Sequence, residues 1–155
     1  MVSWTQFAQG APRLEAAGRH LIGRAAGGTA FLATVRNDGL PRINPVTVEI
    51  VEGRLVSFVI VDSAKFGDLS ADGRYALHAF QDPAAPAEFQ VRGRAHEVTD
   101  PAVRAAAIAG WSFEADDSYR LFEFSIEQAV LGERASPDDW PPLYSSWRAP
   151  VEPGG

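Results

Sequence analysis

Apolar residues at Phe7, Ala11, Leu14, Ala17, Leu21 and Ala25 recur at spacings of three and four, the period of a helix with one buried face. Ser3-Trp4-Thr5-Gln6 ahead of them has the Ser-x-x-Gln form of a capping box. Gly10, Pro12 and Gly18 place a break inside the segment, and Gly27-Gly28 end it. An N-terminal helical segment is therefore expected over 3–26, as one helix or two short ones. From Thr29 the period changes. Segments 29–36 and 43–51 are rich in β-branched residues, and Asn37-Asp38-Gly39 between them is a hairpin signal. Glu52-Gly53 turns the chain again into 55–61, whose near-continuous apolar character suits a strand covered on both faces.

The pattern continues with a helical turn at 66–71, ended by Asp72-Gly73, and strands at 75–80 and 89–98 parted by a Pro/Ala loop at 82–87. Asp100-Pro101 supplies an N-cap and a first-turn proline for a helix through Ala109. The run from Leu121 to about Leu131 reads as one further strand. From Ala135 the chain reads as a Pro/Ser tail carrying Trp140, Tyr144 and Trp147. Six strands joined by tight turns, a helical segment before them and a helix late in the chain predict a β-dominated fold with a few helices. An antiparallel barrel is the natural closure, because it removes exposed edges. The expected organisation is a single domain over 1–155, with the helical segment at 3–26, the barrel at 29–133 and the tail at 135–155.

Composition narrows the function classes. The chain of 155 residues is 46% hydrophobic and 22% charged, as in an ordinary globular domain. A formal net charge of −6 argues against nucleic acid as a partner. The absence of cysteine excludes disulfides and thiolate chemistry. No apolar run approaches the length of a membrane span, and the N-terminus carries neither a basic nor an apolar leader region, so a cytoplasmic protein with no membrane partner is expected. Lys65 is the only lysine; the other thirteen of the 14 Lys and Arg residues are arginine. It sits in Asp62-Ser63-Ala64-Lys65-Phe66-Gly67-Asp68-Leu69, just after the most apolar strand, where a flexible point charge could reach a phosphate. A solvated surface turn is the plainer role for the same residues.

Three segments carry a family resemblance by their order. They are Asp38-Gly39-Leu40-Pro41-Arg42-Ile43-Asn44-Pro45-Val46, then Gly53-Arg54-Leu55-Val56-Ser57-Phe58 leading to Ser63-Ala64-Lys65, then Phe89-Gln90-Val91-Arg92-Gly93-Arg94-Ala95. This order resembles the pyridoxamine 5'-phosphate oxidase-like, FMN-binding split-barrel family. The resemblance implies a six-stranded antiparallel split β-barrel that forms a homodimer, with FMN in a groove between subunits. It implies that Arg42, Ile43, Asn44, Pro45 and Val46 meet the flavin ring and phosphate, and that Phe58 and Val59 lie beside the cofactor. Ser63 and Lys65 match its phosphate-binding turn, and Gln90 a glutamine reaching the flavin from a facing strand. The implied function is a flavoprotein oxidoreductase acting on a small molecule. The alternatives are a deazaflavin-dependent reductase and a non-catalytic binder of flavin or haem.

The residues themselves leave plainer roles open. Phe58 and Val59 also suit a core, Arg42 an exposed strand and Gln90 a cross-strand hydrogen bond. Two departures stand out: Ala64 replaces an arginine of the family pattern, and the segment around Trp140 and Trp147 lacks the oxidase's substrate-phosphate residues. Pyridoxamine phosphate is therefore not the expected substrate. No side chain is singled out as catalytic, since hydride transfer is the cofactor's own chemistry. His20, His78 and His96 share no metal-like spacing. Glu114-Ala115-Asp116-Asp117 reads as a solvated loop, and Trp140 and Trp147 as staples over an interface or the flavin groove.

Overall fold

A computed structural model describes residues 1–154, the Ala26 side chain excepted. The capping box forms as expected: Ser3 Oγ accepts from Gln6 N, Gln6 Oε1 accepts from Ser3 N, and α1 (Trp4–Gly10) follows. The predicted break falls at Ala11, and Pro12 opens α2 (Pro12–Arg24). Gly18 does not break that helix. It faces the ring of Phe89, where a Cβ would come within 2.3 Å of ring carbon Cζ, so glycine here serves close packing. A short 3-10 turn over Ala26–Gly28 leads into the sheet.

Nine strand segments follow, all paired antiparallel: β1 (Thr29–Val35), β2 (Pro41–Thr47), β3 (Glu49–Val51), β4 (Arg54–Ile60), β5 (Arg74–Ala79), β6 (Glu88–Glu97), β7 (Tyr119–Phe124), β8 (Gln128–Glu133) and β9 (Leu143–Arg148). Helix α3 (Ala64–Ala71) joins β4 to β5, and α4 (Pro101–Gly110) joins β6 to β7. The main ladder runs β2-β1-β5-β6-β7-β4-β3, with β8 and β9 branching from β6. Its two outermost members, β2 and β3, are consecutive in sequence and separated only by Val48. The circle is thus completed by the covalent chain and not by a hydrogen-bonded ladder, which makes the barrel split. Strand β6 serves both halves: residues 90–94 pair with β5, 88–92 with β8, and 95–97 with β7.

Glycine makes that branching possible. A Cβ on Gly93 would lie 2.2 Å from the carbonyl oxygen of Ser125, so only glycine lets β6 pass the corner between β7 and β8. That corner corrects the expectation of one strand from Leu121 to about Leu131. Leu121 through Ile126 are all buried, so no change of alternation marks the bend. Strand β9 is the second correction, because it lies in the segment read as a tail. It is an edge strand whose two inward positions are Ser145 and Trp147, and the polar serine erases the period-two signal. Trp147 packs its ring 5.2 Å from Phe7, and Arg13 donates to Ser145 Oγ at 2.8 Å. Trp140, by contrast, is exposed, with the Arg134 guanidinium 5.0 Å from its ring centre.

Two apolar clusters hold the molecule. The larger fills the barrel beneath α1 and α2 and includes Trp4, Phe7, Leu21, Phe89 and Phe122; the smaller packs α4 on β4 and β7 around Phe58, Val103 and Leu121. Between β4, β6 and β7 the buried carboxylate of Glu123 receives Arg54 at 2.8 Å and faces His96 at 3.3 Å. The His96 contact and the Arg54 hydrogen bond and charge outweigh burial and hold its pKa below the usual carboxylate value. No helix of the described residues is long and apolar enough to cross a membrane.

Candidate cofactor site

The hairpin of β1 and β2 builds the first half of the site. Its turn is tighter than the sequence suggested: Gly39 alone takes a positive φ of 82°, while Arg36 N donates to Leu40 O at 2.9 Å. The resulting register sets Thr34 opposite Arg42. Both side chains reach one buried oxygen, Oδ2 of Asp68 on α3: Thr34 Oγ1 donates at 2.7 Å and Arg42 Nε at 2.8 Å. Burial pushes the Asp68 pKa up, but the hydrogen bonds from Arg42 and Thr34 and the charges of Arg42 and Arg36 more than offset it, leaving the carboxyl below its ordinary value. Arg42 is thereby clamped by one edge. Its Nη nitrogens make no hydrogen bond among the described residues, and its side chain is 33% exposed.

Helix α3 supplies the second half. Ser63 is its N-cap: Oγ accepts from Phe66 N at 3.3 Å and donates to Ile60 O at 2.6 Å. The serine therefore shapes the turn with its own hydroxyl already engaged. Lys65, in the first turn, is half-buried and has no ion pair among the described residues. It lies three residues before Asp68, on the same helix face. That spacing brings the single lysine to the side of α3 where Arg42 is held. The Ser63 hydroxyl takes the Phe66 amide of the first turn, so an anion here would rest chiefly on side-chain cations. One cation, Arg42, is thus fixed in place, and Lys65 stands about one helical turn from the acid that fixes it.

The acid that organises this corner was quoted in the sequence motif but given no role, and Thr34 was not singled out at all. A carboxylate one turn after a lysine, in a helix also carrying Phe66 and Leu69, is the signal that was available. Replacing Asp68 by Asn should cost about 1–2 kcal/mol, since Arg42 loses a charged acceptor but stays partly hydrated. The sign with pH follows from the lowered folded-state pKa. The stabilisation is present above the unfolded value of about 3.9 and is lost as pH falls through the folded value. Urea midpoints from pH 7 to about pH 2.5 should thus show the two proteins converging at the acid end. A constant difference down to that pH would mean the charge contributes nothing.

The remaining sequence candidates divide by environment. Ile43 is 67% exposed and Pro45 is exposed, while Asn44 is half-buried and Val46 is inside the barrel. Phe58 and Val59 are enclosed: Phe58 stands edge-on to Trp111 at 4.8 Å beneath Arg104, and Val59 belongs to the larger core. Their side chains pack the interior of the chain, and an open apolar wall lies elsewhere. It lies on the outer face of the sheet, where the register aligns Pro45, Phe31, His78, Gln90 and Val130 across five strands. Phe31 and Phe80 are 37% and 43% exposed there with ring centres 6.3 Å apart. Gln90 is three strands from β2, roughly 14 Å at ~4.8 Å per strand, so a single chain does not bring it to the Arg42 corner.

An antiparallel split barrel with a cationic corner beside an exposed sheet face defines a class of cofactor-binding fold, and sequence comparison gives its family. The family model described as pyridoxamine 5'-phosphate oxidase matches residues 24–131, and the chain belongs to that family. No curated protein matches the sequence. Among solved structures, a pyridoxamine 5'-phosphate oxidase-related, FMN-binding protein from Nostoc punctiforme is 15% identical, with a TM-score of 0.59 over 88% of this chain and 95% of that one. A haem-binding protein from Mycobacterium smegmatis is 19% identical with a TM-score of 0.61; the match covers 85% of this chain but only 57% of that protein. The haem storage protein HutZ from Vibrio cholerae is 16% identical, with a TM-score of 0.60 over 74% of this chain and 91% of that one. At these identities the likeness is one of fold.

Proposed function

We propose that the protein binds FMN and acts as a cytoplasmic flavoprotein oxidoreductase on a small organic molecule. The observation that carries this reading is the pair of cations at one corner, Arg42 oriented by buried Asp68 and Lys65 without an ion pair among the described residues. A terminal phosphate carries close to two negative charges, which two such groups offset. Ser63 supports the turn, and the β2 segment from Arg42 through Val46 offers edge backbone and the exposed Ile43 and Pro45 to a ring. Bound there, the flavin would supply hydride transfer, and the protein's task is to position it. The exposed Phe31 and Phe80 suit burial against a second copy of the chain. In such a homodimer Gln90 of one subunit would serve the flavin of the other.

The test is a fluorescence titration with FMN. Micromolar or tighter binding is expected, weakened about 10-fold (about 1.4 kcal/mol) by Lys65→Ala. Affinity indifferent to Lys65 would sink the assignment. A deazaflavin is the alternative favoured by Ala64, because a phosphodiester carries less charge and needs fewer cations. Haem has a separate observation behind it. His78 Nδ1 lies 2.7 Å from the Ala79 carbonyl, which orients the ring, and Nε2 has no hydrogen bond among the described residues; the residue shares the face that bears Phe31. A Soret shift abolished by His78→Ala would transfer the function from flavin to haem.

A further inference from the structure

On the opposite side of the sheet a cavity of about 450 Å³ opens between the C-terminal half of α2, the loop 84–87 and the end of β8. Its size is within the range of small-molecule pockets. Side alternation separates it from the proposed flavin face: Leu131 of its wall points into the barrel, whereas the adjacent Val130 shares the outer row with Gln90. Two guanidinium groups, Arg24 and Arg134, line the cavity beside His20, with Glu133 as the acid. That acid is already engaged, since Arg13 Nη1 reaches it at 3.1 Å.

Arg24 is the informative residue. Its Nη1 donates to the carbonyl of Ala85 at 2.9 Å, which fixes the plane of the guanidinium. Its Nε and Nη2 are enclosed and have no hydrogen-bond partner among the described residues. Buried donors are almost always paired, so a fixed guanidinium with two orphan donors marks the place of a missing acceptor. Nε and Nη2 form one edge of the guanidinium, with parallel N–H vectors that match the two oxygens of a carboxylate. Leu21, Ala87 and Leu131 add an apolar wall. We propose that this cavity is a second ligand site, taking a small organic carboxylate with an apolar body, held bidentate on the Nε/Nη2 edge of Arg24. That edge is covered, so the ligand reaches it only as the groups over it move aside while the Arg24–Ala85 contact keeps the guanidinium plane.

The experiment is titration of the full chain with benzoate, followed by amide chemical shifts and calorimetry. Saturable shifts confined to 17–24, 84–87 and 131–137 are expected. Arg24→Lys keeps the charge but removes the fork, and should weaken benzoate at least tenfold with an unchanged thermal midpoint. Should Arg24→Lys unfold the chain, the wild-type shift map and an Arg134→Gln variant, expected to weaken benzoate more mildly, carry the test. Lys65→Ala must leave benzoate affinity alone, which separates this site from the flavin reading. No saturation by about 10 mM, shifts centred on Arg42 and Lys65, or tighter binding of inorganic phosphate than of benzoate would each overturn the proposal.

Discussion

Truncating Phe89 to alanine should destabilise the fold by about 3–5 kcal/mol, the cost of deleting a large aromatic from a site that cannot collapse. Phe89 is fully buried on β6, the strand shared by both halves of the barrel. Its ring stacks 6.4 Å from Phe7 and stands edge-on to Trp4 at 6.2 Å, so it joins the helical layer to the sheet. Gly18 of α2 sits directly on it. Neighbouring groups have little freedom to fill the void. Trp4 is pinned by its indole N–H, which donates to Glu15 Oε1 at 2.6 Å, and the sheet is fixed by the three strands paired with β6. Reversible thermal unfolding should show a midpoint lower by about 10 °C or more for a domain of this size. A loss under about 1 kcal/mol would mean that α1 and α2 rest on the barrel without clamping it.

That layer was legible in the sequence because its signals are local. The capping box, Pro12 and the three-and-four spacing each act within a few residues, and the structure keeps all three. The β-dominated antiparallel barrel was legible for a similar reason, since Gly39 and Gly53 take the positive φ that glycine tolerates, while its being split came with the family resemblance. What escaped depends on pairing between distant segments. The corner at Ser125–Glu127 is fixed by β6, through Ser125 N to Arg94 O at 2.8 Å and Glu127 N to Arg92 O at 2.9 Å. Nothing within that run announces it. Strand β9 likewise exists because β8 offers an edge, although its own residues carry no clear period. Within the candidate site, Lys65 was visible as a lone cation. The anchoring of Arg42 was not, because Asp68 reaches it only once the hairpin register sets Thr34 beside Arg42.

Removing both cations together, as Arg42→Ala with Lys65→Ala, should weaken FMN about 100-fold, or about 2.8 kcal/mol. In the proposed site each would supply a charge-assisted contact, and if the two act independently their effects add. The single variants then divide the possibilities. If Lys65→Ala alone costs the whole amount, Arg42 serves only as the partner of Asp68, and its guanidinium is part of the scaffold. If Arg42→Ala costs more than Lys65→Ala, pre-orientation outweighs flexibility, because the clamped fork loses less entropy on binding than a free lysine. Asp68→Asn then becomes a sharper probe than either deletion. It leaves both cations in the molecule and takes away only the charged acceptor that fixes Arg42; because losing that carboxylate makes the corner more positive, a fall in FMN affinity would report lost orientation. Ionic strength supplies the remaining check. Wild-type affinity should fall as salt rises, and the slope should flatten in the double variant, because the partly exposed cations that salt screens would be gone. An equal slope in both proteins would place the phosphate away from this corner, whatever the loss of affinity.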